Sequence, residues 1–337
     1  MKTQILSEFF ILSCEPDGGA YHYTLTTEGE LITGNKITVP NAMWSEVDKG
    51  RLCIVFRGDR NSPISSAEGY TEFSLTSGCM LEDIVPTQGS CVCHFAKDGG
   101  DVYFANYMDG TLTQLMAGGG SWVIGHVPTD ALPLGPNTDR QERPHIHQCL
   151  FSPDKKYLLV CDLGLDAVFV YDRNLCEVSH AAVPAGHGAR HAVFSKDGSR
   201  LFVLSEMGVS VTEFLWDDGK LTPHMTLNLR GDEPLIAPDE GGAAITLSPD
   251  GRHLYATDRG TDTIVHLRVN DTGLTLLSRT SSHGRHPRDF KLIAGGAFAV
   301  CCNQFGNCYS LFRVLEDGEL RFLHEEKLLS PLCVTEI

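Results

Sequence analysis

Short apolar runs alternate with tight turns along most of the chain. Five segments can be laid under one another: CVCHFAKDGGDVYFANY, HQCLFSPDKKYLLVCDL, RHAVFSKDGSRLFVLSE, AAITLSPDGRHLYATDR and PRDFKLIAGGAFAVCCN, with AMWSEVDKGRLCIVFRG as a weaker sixth. Each reads as a short strand, a turn, and a second strand rich in Val, Leu, Phe and Tyr. The turn usually carries Asp-Gly or Lys-Gly, a strong hairpin signal because Gly accepts the positive φ that the connection demands. Taking Lys49, Asp98, Asp154, Asp197, Asp250 and Ala294 as turn anchors, successive anchors lie 43 to 56 residues apart. That spacing holds about four strands, the content of one propeller blade.

A third strand follows each hairpin, as in DAVFVYD, VSVTEFLW, DTIVHLRV and NCYSLFRV, and then a polar turn such as DDGKL, DTGLTL or EDGEL. No amphipathic helix of convincing length interrupts the series. At the ends, FFILSC, AYHYTL and GELITGNKI read as strands two to four of a blade that lacks its first, which PLCVTEI supplies. Pairing the chain ends removes the exposed edges of an open array. The expected fold is an all-β, seven-bladed β-propeller, residues 1–337 forming a single propeller domain whose ring closes by pairing N- and C-terminal strands in one blade.

Composition narrows the chemistry. The 34 glycines and 16 prolines of the 337 residues suit many turns, and 42% hydrophobic residues can bury a sizeable core. A formal net charge of −16 argues against nucleic acid and anionic membrane surfaces as partners. It leaves room for a small anionic substrate, because a few arginines can reverse the field in one pocket. The 12 cysteines sit mostly in apolar strand-like runs and no CxxC occurs, which fits core thiols, the vicinal Cys301–Cys302 included, in a reducing cytoplasm. Glu8 interrupts the apolar stretch of MKTQILSEFFILSC, so no export signal is read there, and no run approaches the roughly 20 apolar residues of a membrane span.

Unusual residues recur at two places in the repeat. Seven residues before the anchor stand Ala42, Cys91, His147, Arg190, Ala243 and Pro287; nine after it stand Gly58, Tyr107, Leu163, Glu206, Arg259 and Asn303. Both places lie at the open end of the hairpin, so His147, Arg190, Glu206, Arg259 and Asn303 are expected to gather on one rim of the central channel. A merely solvated rim would carry Lys, Asp, Ser and Asn in every blade; structural ion pairing across the channel is the competing account. His145 is expected to support its neighbours from a loop. In RQERPHIH, Arg140 and Arg143 end a long connection, residues 118–146, that would overhang the channel and bring Arg143 to an anion, or leave it on the surface. Arg285, His286 and Arg288 are expected near the same rim, one of them binding an anion or pairing with an acid. Asp162, Asp166 and Asp258 read as strand-end turn residues.

Several familiar chemistries are excluded by their missing signatures: there is no GxSxG, HExxH, P-loop or GxGxxG, and GHGARH lacks the strand-to-helix context of a dinucleotide site. No dense metal-ligating set is evident, and no cofactor is expected.

With these motifs in view, the chain resembles the seven-bladed propeller lactonase family, which includes bacterial 6-phosphogluconolactonases and fungal carboxymuconate lactonising enzymes. The resemblance rests on RQERPHIH, DLGLDAVFVY, GHGARHAVFS, LSEMGVSVTEF, AAITLSPDGRHLYATDRGTDTI and HPRDFKLI, from about residue 140 to 305; the N-terminal third matches in blade rhythm alone. It implies His147, within a paired-His motif with His145, as the family's histidine, Arg190 and Arg259 as its arginines, and Glu206 as its acid. The family commonly has Gly-Pro-Arg-His where this chain has Gly188-Ala189-Arg190-His191, a departure expected to perturb only the turn. The implied activity is hydrolysis of a small anionic or sugar lactone, 6-phosphogluconolactonase-like, in the carbohydrate metabolism of the pentose phosphate pathway. Glu206 or His147 would activate water, the other serving as acid, while Arg190 and Arg259 stabilise the oxyanion or hold a phosphate or carboxylate. Arg143, His145, His191, Arg288 and Asn303 are the expected substrate-binding residues. Two other readings stand beside this one: a muconolactone-type lyase or isomerase, and a non-catalytic interaction platform.

Overall fold

A computed structural model describes residues 4–58, 68–76, 80–81, 84–117, 122–126, 132–231 and 241–337. Cys79 and parts of the 118–146 connection lie outside these residues. Seven antiparallel sheets account for the strands, as the repeat pattern predicts. The closing blade takes its first strand from the C-terminal segment: Pro331–Glu336 pairs with Ile5–Ser13, which continues through Gly19–Thr26 to Leu31–Thr38. The second blade is built on Ala42–Asp48, Arg51–Phe56 and Gly69–Ser74, with short partners at Met80–Leu81 and Val85–Pro86. The third runs Val92–Asp98, Asp101–Asn106, Thr111–Leu115 and Trp122–His126, and the fourth Ile146–Phe151, Leu158–Asp162, Ala167–Tyr171 and Glu177–Ala182. The fifth comprises Ala189–Phe194, Arg200–Ser205, Ser210–Asp217 and Lys220–Asn228. Gly242–Leu247, His253–Asp258, Thr263–Asn270 and Gly273–Ser281 form the sixth, and Pro287–Ile293, Phe298–Asn303, Cys308–Val314 and Leu320–Lys327 the seventh. This is the all-β, seven-bladed propeller fold.

By contacts the chain forms two compact units, one of Met1–Pro86, Asp262–Ile264 and Arg279–Ile337, the other of Thr87–Thr261 and Val265–Ser278. Within each, the core lies between successive sheets. In the first unit Phe9, Ile11, Val300 and Tyr309 interdigitate, and so do Phe10, Leu52 and Ile54. In the second, Tyr103 and Ile146 pack against Phe169, Val168 against Val203, and Phe202 against Leu254. Alternating side chains feed both faces of a blade, which is why second strands read as continuous apolar runs. The cysteines follow the same logic. Cys301 and Cys302 are fully buried on opposite faces of their strand, and burial pushes both thiols up, as befits core side chains.

Three of the hairpins share a turn that the sequence writes as Ser-x-Asp. Asp154, Asp197 and Asp250 each accept from the hydroxyl two residues earlier and the N–H two residues later. The hydroxyls of Ser152, Ser195 and Ser248 in turn accept the N–H of the residue that leads into the second strand. No helix among the described residues is long and apolar enough to cross a membrane.

Candidate active site

The site is built from two backbone positions that recur in every blade. Each first strand opens with a register shift in which one residue is extra: Leu332, Met43, Cys93, His147, Arg190, Ala243 and Arg288. Such a bulge re-aims its side chain away from the ladder at the strand end. Directly after each second strand, the N–H of Cys14, Arg57, Tyr107, Leu163, Glu206, Arg259 and Gln304 donates to the carbonyl of Ser330, Asn41, Cys91, His145, Gly188, Gly241 and His286 respectively. These bonds fix which residues are equivalent, and they correct the count from the turn anchors. Arg288 takes the bulge place instead of Pro287, Cys93 instead of Cys91, and Met43 instead of Ala42. Gln304 replaces Asn303 and Arg57 replaces Gly58 at the second place. A fixed count holds throughout only for the Ser-x-Asp turns, where six residues separate the paired strand ends; the Lys49-Gly50 turn and the one around Ala294–Gly296 are shorter.

Four of the expected residues meet in the second unit. Glu206 is 3% exposed, and its carboxylate is ringed by basic side chains. Arg190 Nε donates to Oε2 at 2.7 Å, Arg259 Nη2 stands 3.1 Å from Oε1, and His147 Nε2 lies 3.9 Å from Oε2. Burial opposes ionisation of Glu206, but Arg259, Arg190, His147 and Arg140 outweigh it and hold the carboxyl well below the usual carboxylate range. The arginines are themselves fixed by backbone: Arg190 Nη1 donates to the Ala243 carbonyl, and Arg259 Nε to Gly241 O at 3.0 Å. Burial pulls the Arg190 guanidinium down to about 10, which leaves it charged at neutral pH. Gly241 makes the approach possible, since a Cβ there would stand 2.1 Å from the Glu206 carbonyl oxygen.

A third guanidinium comes from a segment that the repeat pattern does not cover. Arg140 Nη2 donates to Glu206 Oε1 at 2.6 Å and to the Tyr107 hydroxyl at 3.2 Å. Its neighbour Gln141, 1% exposed, donates to Leu163 O at 2.8 Å and accepts from the Asn137 N–H. This staple turns Arg140 inward and leaves Arg143, the residue expected to reach an anion, 56% exposed beside Glu142. Of the two placements left open for Arg143, the structure has the surface one, and it is Arg140 that turns inward. The sequence signal was present in the RQ pair, but a loop carries no register from which direction could be read.

His145 holds the cluster from behind. Its Nδ1 bonds the Tyr107 carbonyl at 2.8 Å, its Nε2 pairs with Glu142 at 3.0 Å, and its ring stacks on that of Tyr107. His191 stands edge-on to His147 at 5.1 Å between centroids and to His94, which sequence reasoning passed over, at 5.7 Å. Asp162 accepts the N–H groups of His145 and Leu165, and Asp166 those of Gly186 and Gly188, as strand-end turn residues. Asp258 does the same for Gly260 and also grips the Arg230 guanidinium through both oxygens, a buried pair not foreseen from sequence.

In the first unit, Asn303 is fully buried and spends its amide on Ser282 O at 3.1 Å and Ser310 Oγ at 3.0 Å. It is a turn fastener equivalent to Asp162 and Asp258, where a rim residue of the channel was expected. His286 stacks on Phe305, Arg285 is exposed, and Arg288 is half-buried at its bulge. Among the described residues no group of three or more His, Cys, Asp or Glu could hold a metal ion.

What this arrangement offers chemically is a buried carboxylate ionised at neutral pH, an imidazole beside it, and two buried guanidiniums, Arg190 and Arg259, whose charge exceeds that of the carboxylate, with Arg140 at the edge. Such surplus positive charge out of water is costly unless an anion or a developing oxyanion meets it.

The chain is similar to several known proteins. The chain matches over 209 residues, at 34% identity, an uncharacterised protein of Staphylococcus aureus, covering 58% of this chain and 59% of that one. A similar match, 34% over 185 residues, covers 52% of this chain and 51% of an uncharacterised protein of Staphylococcus saprophyticus. The chain thus spans between half and three-fifths of these curated relatives. A solved structure from Bacteroides uniformis, named "a putative 6-phosphogluconolactonase", superposes with a TM-score of 0.84 at 26% identity, over 98% of this chain and 100% of that one. The Pseudomonas aeruginosa periplasmic gluconolactonase PpgL shares the fold, with a TM-score of 0.84 at 24% identity over 98% and 99% of the two chains. Residues 13–336 match the family model described as Lactonase, 7-bladed beta-propeller. The chain belongs to the seven-bladed β-propeller lactonase family.

Proposed function

We propose that this protein is a lactone hydrolase that opens a sugar lactone bearing an acidic group, in the manner of a 6-phosphogluconolactonase, at the Glu206 cluster. The observation that carries this reading is the buried Glu206 carboxylate facing His147 at 3.9 Å under three arginines. Hydrolysis needs a base for water, a counter-charge for the carbonyl oxygen, and a proton for the departing alkoxide. His147 takes the proton as the water oxygen bonds to the carbonyl carbon. The imidazolium so formed is stabilised by Glu206, which is held too acidic to be the proton donor itself. As the ring C–O bond breaks, the same proton passes to the leaving oxygen, so lactone and water give the hydroxy acid. Arg190 and Arg259 supply the fixed positive field for the tetrahedral oxyanion. This sharpens the assignment from sequence, in which either residue could be base or acid.

The acidic substrate is supported by the surplus of guanidinium charge and by the name of the Bacteroides uniformis relative. A place in carbohydrate metabolism and a cytoplasmic location belong to the same proposal, the latter supported by cysteines packed as core side chains. Acid release from 6-phosphoglucono-1,5-lactone and glucono-1,5-lactone, followed with purified protein, tests the reading. Release well above the spontaneous rate is expected for the phosphorylated lactone; a rate equal to background with both lactones and with a muconolactone would overturn it.

A further inference from the structure

We infer that Arg140 is the specificity-determining arginine of the site, a guanidinium that rests on Glu206 when no substrate is bound and transfers to the acidic group of an incoming ligand. The inference rests on the proposed lactonase reading and says how that site selects its substrate.

The three arginines around Glu206 differ in how they are held. Arg190 and Arg259 arise from strand positions, donate to the backbone carbonyls of Ala243, Gly241 and Gly242, and their side chains are 2% and 3% exposed. Moving either would strip buried carbonyls of their donors. Arg140 instead arises from a loop, its side chain is 21% exposed, and Glu206 and the Tyr107 hydroxyl are among its partners. It is the guanidinium of the three that faces solvent.

The charge balance allows the transfer. If Arg140 leaves Oε1, Glu206 keeps Arg259 on that oxygen at 3.1 Å and Arg190 on the other at 2.7 Å, so its carboxylate remains compensated. The same step carries one positive charge toward solvent, where a planar fork suits a phosphate or carboxylate. The loop is nevertheless not loose at its root. Gln141 is bonded to Leu163 O, the Gly135 N–H donates to Gly164 O, and a Cβ at Gly135 would stand 2.1 Å from the Gln141 amide. A pinned backbone with a side chain at the solvent boundary restricts the movement to rotamers of Arg140. Gln141 is accordingly a positioning residue for it.

Binding separates this inference from the catalytic one. Calorimetric titration with 6-phosphogluconate and gluconate, two hydroxy acids that differ in the phosphate, reads the preference without turnover. The wild type is expected to prefer the phosphorylated ligand by about 10–100-fold, the worth of one charge-assisted fork. Arg140→Gln should collapse that ratio to within about threefold, Arg140→Lys should restore part of it, and Gln141→Met should lower it by loosening the staple. A folding defect would weaken both ligands together and leave the ratio intact, with thermal unfolding as the control. A wild type with no preference, or an Arg140→Gln variant that keeps the full ratio, overturns the assignment whether or not any lactone is hydrolysed. Absence of turnover with the ratio behaving as stated would instead count against the hydrolase reading alone.

Discussion

Replacing Glu206 with Gln removes one negative charge from among three guanidiniums and an imidazole while keeping nearly the same volume. The contacts at 2.6, 2.7 and 3.1 Å are each worth about 5–6 kcal/mol of Coulomb energy at an effective permittivity near 20, offset by the several kcal/mol needed to strip a carboxylate of water. Taking away one partner of a buried pair leaves the other charges uncompensated, a loss of about 3–5 kcal/mol. At about 2–4 °C per kcal/mol for a chain of a few hundred residues, the midpoint of thermal unfolding should fall by roughly 10 °C. The loss carries a pH signature. The folded carboxyl lies below its unfolded value, so its stabilisation is complete above about pH 4.3 and drains away as pH falls through the folded value. The gap between wild type and variant is therefore widest at neutral pH and closes on acidification below about pH 4.3. Urea denaturation of both proteins by circular dichroism, from pH 7 down to pH 3, measures it, and other carboxylates cancel in the difference. Equal stability at pH 7, or a gap that stays constant into acid, would refute the picture of a carboxylate clamped by arginines. Turnover in the same variant should drop at least 100-fold, because the imidazolium loses its counter-charge.

Three further outcomes are expected. His147→Gln should lower kcat by about 10²–10⁴ without changing the unfolding midpoint by more than a few degrees, as paired rate and melting measurements would show. Gly241→Ala should cost about 1–3 kcal/mol and most of the activity, because its Cβ would collide with the Glu206 backbone at 2.1 Å; a fully active, equally stable variant would show that the two turns can part. Asn303→Ala should cost about 1–3 kcal/mol by removing the donor to the buried Ser282 carbonyl and to the Ser310 hydroxyl, which keeps only its own bond to His283 O, while kcat/KM with the phosphorylated lactone stays within about twofold.

The blade count was legible because the hairpins close through local turns, three of them the Ser-x-Asp device seen at Ser195–Asp197, that need no long-range information. The closing blade was legible because three N-terminal strands lacked a partner that PLCVTEI could provide. Glu206, Arg190, Arg259 and His147 stood out because their type broke the small or apolar habit of their positions. Register at the strand openings was not legible. A bulge displaces equivalence by one residue, and turns of unequal length displaced the count to Pro287 and Asn303 where Arg288 and Gln304 belong. Arg140 was seen but not placed, since its direction is decided by Gln141 bonding a carbonyl in another turn. That contact has no periodicity to betray it.

The pairing of Ile5–Ser13 with Pro331–Glu336 has a consequence for biogenesis. Ser7 and Glu336, hydrogen-bonded in the finished molecule, are separated by 329 positions, so Ile5–Ser13 leaves the ribosome long before its partner exists. At typical synthesis rates of about 5–20 residues per second, Phe9, Phe10 and Ile11 wait on the order of a minute or less with one hydrogen-bonding edge bare. Nascent chains of this protein are thus exposed to intermolecular strand exchange until Pro331–Glu336 has been made, and a molecule cut short before Pro331 would carry that adhesive edge permanently.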